Sequence, residues 1–373
     1  MRAAVLNRPG EVHVVQRPDP IPATDEVLVR VHAVGVCGSD THYFDHGRIG
    51  RFVVESPLVL GHETSGVVEA VGAGVDPSRV GQRVSLEPGV PCRACEQCLA
   101  GRYNLCPDMV FHATPPVDGS LAELVAIHHA FAHPVPDSVS DVAAALLEPL
   151  SVGVWACHKA QVGPGSRVLI TGAGPIGLVC VQVARASGAS EIVVADLNAD
   201  RLAVATELGA TRTITSGSES VADGYAAEPA PEVLLECSGH PGVTVDGIRA
   251  LAPAGRAVLV GMGGDEITLP LSVIQERELV VTGTFRYAGT WPTAIALAAS
   301  GQVDLERLVT GRFCLEDTAA ALTAARDTAG AIKSVIDPRP TAGRSAGTPA
   351  ASPAASPTGH PTGASETTGA HGG

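Results

Sequence analysis

The sequence predicts a two-domain α/β protein in which a mainly β amino-terminal part precedes a doubly wound, parallel-sheet domain. Three observations predict it. Short Val-rich runs alternate with Gly and Pro breakers in the first part of the chain. Near Pro164 the texture changes to strands alternating with helices. A glycine-rich turn, Gly172-Ala173-Gly174-Pro175-Ile176-Gly177, then follows a strand and opens a helix. At 373 residues and 45% apolar content, the chain can bury a large core, and its length suits two domains.

Taken in order, Val27-Leu28-Val29-Arg30-Val31-His32-Ala33-Val34 marks a strand from Glu26 to Val36, and Ser65 to Val71 and Val80 to Leu86 are further short strands. Beyond Pro164, Arg167 to Thr171 reads as a buried strand, Pro175 to Ser187 as a helix and Glu191 to Ala195 as another strand. Later strands are Val233 to Glu236, Ala257 to Val260 and Leu279 to Thr284, with Gly242 to Leu251 helical among them; Ser216 to Pro231 carries no assignable pattern. A helix from Trp291 to Ala299 and a short series of strands and helix lead to Asp337. Past Pro338 the chain is almost entirely Ala, Pro, Ser, Thr and Gly, with nothing large to bury. That composition predicts disorder, with His360 and His371 as solvated tail residues.

Charge narrows the partners. Lys and Arg number 25 against 39 Asp and Glu, a net charge of -14, which disfavours nucleic acid and anionic membrane surfaces and favours a small neutral or cationic substrate. The amino terminus lacks a signal h-region, and no stretch approaches the roughly 20 apolar residues of a membrane span, so the cytoplasm is the default expectation.

The Gly172–Gly177 turn has the context of a dinucleotide fingerprint: its glycines admit the pyrophosphate to the backbone, and the helix amino terminus favours the phosphate charge. Asp196 closes the next strand 19 residues after Gly177, near the position whose carboxylate binds the adenosine ribose, so NAD is expected over NADP. Arg201 could soften that preference by accommodating a phosphate.

Nine cysteines include a crowd of four, Cys92, Cys95, Cys98 and Cys106. In a reducing compartment this spacing points to a structural zinc site closed by four sulfurs rather than to disulfides. Cys157, Cys180, Cys237 and Cys314 lie in apolar surroundings and read as inert core residues. Cys37, His62 and Glu63 bring together the ligand types of a catalytic zinc, which takes three protein groups and leaves the fourth position to water or substrate. His42, His46, His112, His128 and His129 read as packing or solvated residues.

These strings carry a resemblance. Val36-Cys37-Gly38-Ser39-Asp40, His42-Tyr43, Gly47-Arg48-Ile49-Gly50, Gly61-His62-Glu63, Glu148-Pro149-Leu150-Ser151, Phe285-Arg286-Tyr287 and Thr290-Trp291-Pro292 resemble the zinc-dependent medium-chain dehydrogenases, in the sorbitol and xylitol dehydrogenase branch, over roughly Met1 to Asp337. The resemblance implies a GroES-like β-barrel catalytic domain (1–151), a Rossmann domain binding NAD (152–286), a segment returning to the barrel (287–337) and the tail (338–373), usually assembled as a homotetramer or homodimer. It further implies zinc ligation by Cys37, His62 and Glu63, with Glu148 holding the zinc water or substrate and ligating directly in some relatives. Asp40 would orient His62, and Ser39 would relay a proton. Tyr43, Arg286 and Tyr287 would contact substrate, while Val260, Gly261, Met262 and Phe285 would form part of the nicotinamide pocket. The cysteine quartet is implied to affect stability and not the reaction.

The expected chemistry is oxidation of a polyol's secondary hydroxyl at a Lewis-acidic zinc, with proton loss through Glu148 or Ser39 and hydride transfer to NAD. L-Threonine and apolar-alcohol dehydrogenases share the scaffold. Arg286, Tyr287 and Glu148 favour a polyhydroxylated substrate, because an apolar alcohol would leave them unpaired. An inactive relative kept as a binding protein would not need the intact ligand set.

Overall fold

The computed structural model describes residues 1–217, 220–225, 229–264 and 266–340. The expectation for the tail beyond 340, His360 and His371 included, lies outside the described residues. Part of the unassigned stretch does too; within it the structure places a short 3-10 turn at Asp223–Tyr225.

The doubly wound sheet forms because its strands are apolar on both faces. In Arg167–Thr171, Val168 and Ile170 enter one core and Leu169 the opposite one. In Glu191–Asp196, Ile192 and Val194 likewise oppose Val193 and Ala195. Alternation of side chains along a strand sorts one apolar run into two cores, each covered by helices. Six parallel strands result, in the spatial order Arg212–Thr215, Glu191–Asp196, Arg167–Thr171, Val233–Glu236, Arg256–Leu259 and Val280–Gly283. The order reverses between Arg167–Thr171 and Val233–Glu236, the switch point where open parallel sheets bind ligands. At this point lies the glycine turn. An added Cβ at Gly177 would stand 1.8 Å from the Gly172 carbonyl oxygen, so only glycine lets the helix Pro175–Ala186 start so close to the strand end.

The amino-terminal part is a β-barrel. Its central strand, Glu26–Gly35, pairs antiparallel with Glu63–Val71, Leu124–His128 and Lys333–Asp337. The last of these comes from the far end of the described chain and pairs parallel with Val309–Cys314, and the helix Thr318–Asp327 between them adds Ala321 and Leu322 to the barrel core. Two helices without a sequence assignment bear on the site. Gly38–His46 begins directly after Cys37, and Leu147–Ala160 carries Glu148 in its first turn. Leu146, Leu147 and Leu150 are fully buried, and the second helix packs on Pro175–Ala186 and on Trp291–Ala299. The expected boundary at 151/152 falls inside it. No helix among the described residues is long and apolar enough to cross a membrane.

Candidate active site

Two segments of the barrel converge on one point. Cys37 caps the helix Gly38–His46, and His62 and Glu63 stand at the start of Glu63–Val71. One sulfur, one ring nitrogen and one carboxylate oxygen from these residues lie within 4.8 Å of one another. Asp40 ties the segments together. Its carboxylate accepts the Cys37 amide at 3.0 Å and the Gly61 amide at 2.9 Å, which fixes the backbone of both ligand turns. It stands 3.7 Å from His62 Nδ1, beyond hydrogen-bond range, so its contact with the ring is electrostatic. Burial favours a neutral His62, but Asp40 and Cys37 outweigh it and raise the imidazole well above its ordinary pKa.

Glu63 pairs across the strand with Gly35, where an added Cβ would come within 2.0 Å of Glu63 Oε2. The space that glycine leaves is filled by the carboxylate. Both of its oxygens accept from Lys333 Nζ, at 2.7 and 2.9 Å, and Lys333 also donates to the Val36 carbonyl at 2.9 Å. Glu63 is 1% exposed and Lys333 3%. Sequence reasoning did not foresee Lys333, although a lysine inside the apolar run Ala331-Ile332-Lys333-Ser334-Val335-Ile336 demands a buried partner.

Glu148 is also buried, and burial raises its carboxyl to about 7. Tyr287 Oη donates to Glu148 Oε1 at 2.8 Å. Glu148 feels His62, Glu63 and Lys333 but stands outside the three-ligand cluster. Tyr43 is buried, which raises its phenol to about 12, and it is coupled to His62, Asp40 and Arg286. The Arg286 guanidinium lies over the Phe111 ring at 3.8 Å and the Phe285 ring at 4.7 Å, while Phe111 stands 5.7 Å from the His62 ring. Phe111, unmarked in the sequence, thus bridges the ligand cluster and Arg286. Ser39 lies half-buried in the first turn after Cys37.

At the switch point, Asp196 accepts from the Ala173 amide at 2.6 Å and the Asn198 amide at 2.8 Å, bracing the glycine turn against the next strand. Gly174 caps the helix, with Pro175 in its first turn and Ile176 following. Arg201 donates to the Ala331 carbonyl at 2.7 Å. Val260 and Gly261 both donate their amides to the Glu236 carbonyl at 2.8 Å, and Met262 and Phe285 are exposed.

The four cysteines gather as the spacing predicts, with one sulfur from each within 4.8 Å of the others. Cys92 and Cys98 sulfurs are 3.9 Å apart, and Cys95 and Cys98 sulfurs 3.5 Å apart. Tetrahedral zinc with bonds of about 2.3 Å needs sulfurs about 3.8 Å apart, so the quartet fits that ion. The sulfur, nitrogen and oxygen donors at Cys37, His62 and Glu63 fit a zinc with one open position. Cys157 and Cys180 are core residues as expected, whereas Cys237 and Cys314 are half-buried, and Cys314 donates to Asp317 at 3.0 Å. Among the histidines, His42 and His46 are exposed and His128 stacks on His129; His112 is buried, which lowers its pKa to about 4.

A barrel carrying a three-donor metal centre, joined to a dinucleotide-binding sheet, defines an oxidoreductase that uses zinc and a nicotinamide cofactor. Residues 23–137 match the alcohol dehydrogenase GroES-like domain, and residues 175–300 match the zinc-binding dehydrogenase domain. Sorbitol dehydrogenase of Gallus gallus is 47% identical over 319 residues, covering 84% of this chain and 90% of that protein. Sorbitol dehydrogenase of Bacillus subtilis (strain 168) is 42% identical over 326 residues, 86% of this chain and 92% of that protein. The crystal structure of L-idonate 5-dehydrogenase from Escherichia coli superposes with a TM-score of 0.85 at 30% identity, covering 90% of this chain and 97% of that one. The chain belongs to the zinc-binding medium-chain dehydrogenases, in their sorbitol dehydrogenase branch.

Two outcomes follow for the metal-free protein. Lys333→Met strands the Glu63 carboxylate in the interior and should cost about 3–5 kcal/mol in urea unfolding; a midpoint equal to wild type would show the pair to be dispensable. Because the folded pKa of Glu148 lies above its unfolded value of 4.5, at about 7, its contribution is fully present below 4.5 and is lost as pH rises to 7. Relative to Glu148→Gln, chelator-treated wild type should therefore lose about 3 kcal/mol between those limits. Parallel pH profiles for the two proteins would contradict the burial argument.

Proposed function

We propose that this chain oxidises a secondary hydroxyl of a polyol, such as sorbitol or xylitol, to the ketose with NAD as acceptor. The carrying observation is the polar set near the ligand cluster: the Tyr287–Glu148 hydrogen bond, the Arg286 charge that both of these groups feel, and Tyr43, which is coupled to Arg286 and His62. Those groups would lose their partners against an apolar alcohol but can pair with the several hydroxyls of a sugar alcohol.

Cys37, His62 and Glu63 hold the catalytic zinc, and Cys92, Cys95, Cys98 and Cys106 the structural one. When bound, zinc supplies Lewis acidity and NAD a hydride acceptor. Around them the chain does the rest. Tyr287 occupies one oxygen of Glu148 and so aims the other at the substrate hydroxyl. Burial keeps that carboxyl near neutrality, where it can take a proton and release it again; Ser39 offers the alternative exit. Arg286, Tyr43 and Tyr287 orient the polyol. Gly172, Gly174, Pro175, Ile176 and Gly177 receive the pyrophosphate, and Val260, Gly261, Met262 and Phe285 line the nicotinamide pocket. Asp196 takes the adenosine ribose. NAD is preferred to NADP because the Asp196 carboxylate would repel a phosphate on that ribose.

A homotetramer or homodimer in the cytoplasm completes the proposal, supported by family habit and by the outer strand Val280–Gly283 at the rim of the parallel sheet. Sedimentation as a monomer at micromolar concentration would refute the assembly. For the reaction, sorbitol, xylitol, ribitol, threonine and ethanol with NAD form the deciding panel: polyols should lead, and a preference for threonine or ethanol would overturn the substrate class. His62→Ala should abolish turnover and lose catalytic zinc by elemental analysis, while still binding NADH by fluorescence.

A further inference from the structure

The cysteine loop does more than close on itself. Asn104 and Tyr103 lie between Cys98 and Cys106 in a short 3-10 turn. The Asn104 amide nitrogen donates to the Phe285 carbonyl at 2.8 Å. Tyr103 Oη accepts from the Gly289 amide at 2.7 Å while donating to Glu87 Oε1 at 2.6 Å. Glu87 is anchored in turn, because its other oxygen meets His133 Nε2 at 2.9 Å. Two hydrogen bonds from one loop therefore straddle Arg286-Tyr287-Ala288. The same stretch of chain continues to Phe111, whose ring lies beneath the Arg286 guanidinium.

Arg286 needs such support. Its φ is +54°, a left-handed conformation that a residue with a Cβ adopts only when its surroundings enforce it. The plane of the Phe285–Arg286 peptide sets where that φ leads the side chain, and Asn104 grips the carbonyl of this peptide. Asn104 is 4% exposed and spends its amide donor on this contact.

We infer that the four-cysteine loop sets the position of the Arg286 guanidinium, with Asn104 and Tyr103 as positioning residues. The quartet thus governs how the substrate is gripped as well as how stable the barrel is, contrary to the expectation drawn from the family. The substrate consequence rests on the reading of Arg286 as a polyol contact; the geometric claim does not.

The test uses the zinc-loaded enzyme. Asn104→Asp keeps the side-chain shape but replaces the donor with an oxygen facing the Phe285 carbonyl. Arg286 labelling by phenylglyoxal, an arginine-specific dicarbonyl, followed by peptide mass spectrometry, should accelerate several-fold in this variant as the guanidinium leaves Phe111. The KM for sorbitol should rise roughly tenfold, as expected for one lost buried hydrogen bond, with NADH affinity unchanged. Combined with Arg286→Ala, Asn104→Asp should add nothing further to KM, because both changes act through one group. Should Asn104→Asp fail to fold, Tyr103→Phe, which removes the Gly289 acceptor, carries the same readouts. Unchanged labelling overturns the positioning, as do effects of the two substitutions that simply multiply. A normal KM in Arg286→Ala alone would instead remove the substrate role of Arg286 and leave the labelling rate to decide the geometry.

Discussion

The centre of the molecule depends on one buried ion pair. The cluster of Cys37, His62 and Glu63 is set where water is scarce, and a carboxylate as buried as Glu63 needs a cation beside it. Lys333 supplies that charge from the strand Lys333–Asp337, which is laid against Glu26–Gly35. The same ammonium holds the Val36 carbonyl, next to Cys37. One side chain therefore neutralises Glu63 and steadies the backbone leading to Cys37, and Gly35 is the residue whose missing side chain makes room for the pair.

Around this pair the polar groups divide by duty. Asp40 works chiefly on backbone, joining the Cys37 turn to the Gly61 turn, and reaches His62 only through its field. Glu148 and Tyr287 pair with each other in the interior, and burial keeps that carboxyl protonatable near neutral pH. Asp196 plays at the Gly172–Gly177 turn the part that Asp40 plays between the Cys37 and Gly61 turns, taking amides from two segments at once. Asp40 and Asp196, which a sequence reading assigns to a ring and to a ligand, thus both hold the main chain first.

Much of this was legible in the sequence because it is local. The Gly172–Gly177 turn, the cysteine spacing and the strands from Arg167 to Thr171 and from Val233 to Glu236 are written in contiguous residues, and the structure places them within a residue or two of expectation. The adjacency of His62 and Glu63 was equally readable. What escaped depends on contacts between distant segments. Lys333 meets Glu63 across 270 residues, Asn104 meets Phe285 across 181, and Phe111 acquires its meaning only once Arg286 lies on it. The helix Leu147–Ala160 escaped for another reason: apolar nearly all round, it shows no polar stripe to give a helical period. Asp40 was read as a partner of the His62 ring, and nothing in the sequence could show that two amides would reach its oxygens first.

The return of the strand Lys333–Asp337 to the barrel has a consequence for biosynthesis. A nascent chain leaving the ribosome offers Glu63 long before its counter-charge has been translated, so the barrel waits, incomplete, while the intervening parallel sheet can already form. Closure must wait for this strand, whose pairing with Glu26–Gly35 has the largest sequence separation of any strand pair among the described residues. Termination after the last parallel strand, Val280–Gly283, but ahead of residue 333 would leave the nucleotide-binding sheet whole and attached to a barrel with an uncompensated acid at its heart.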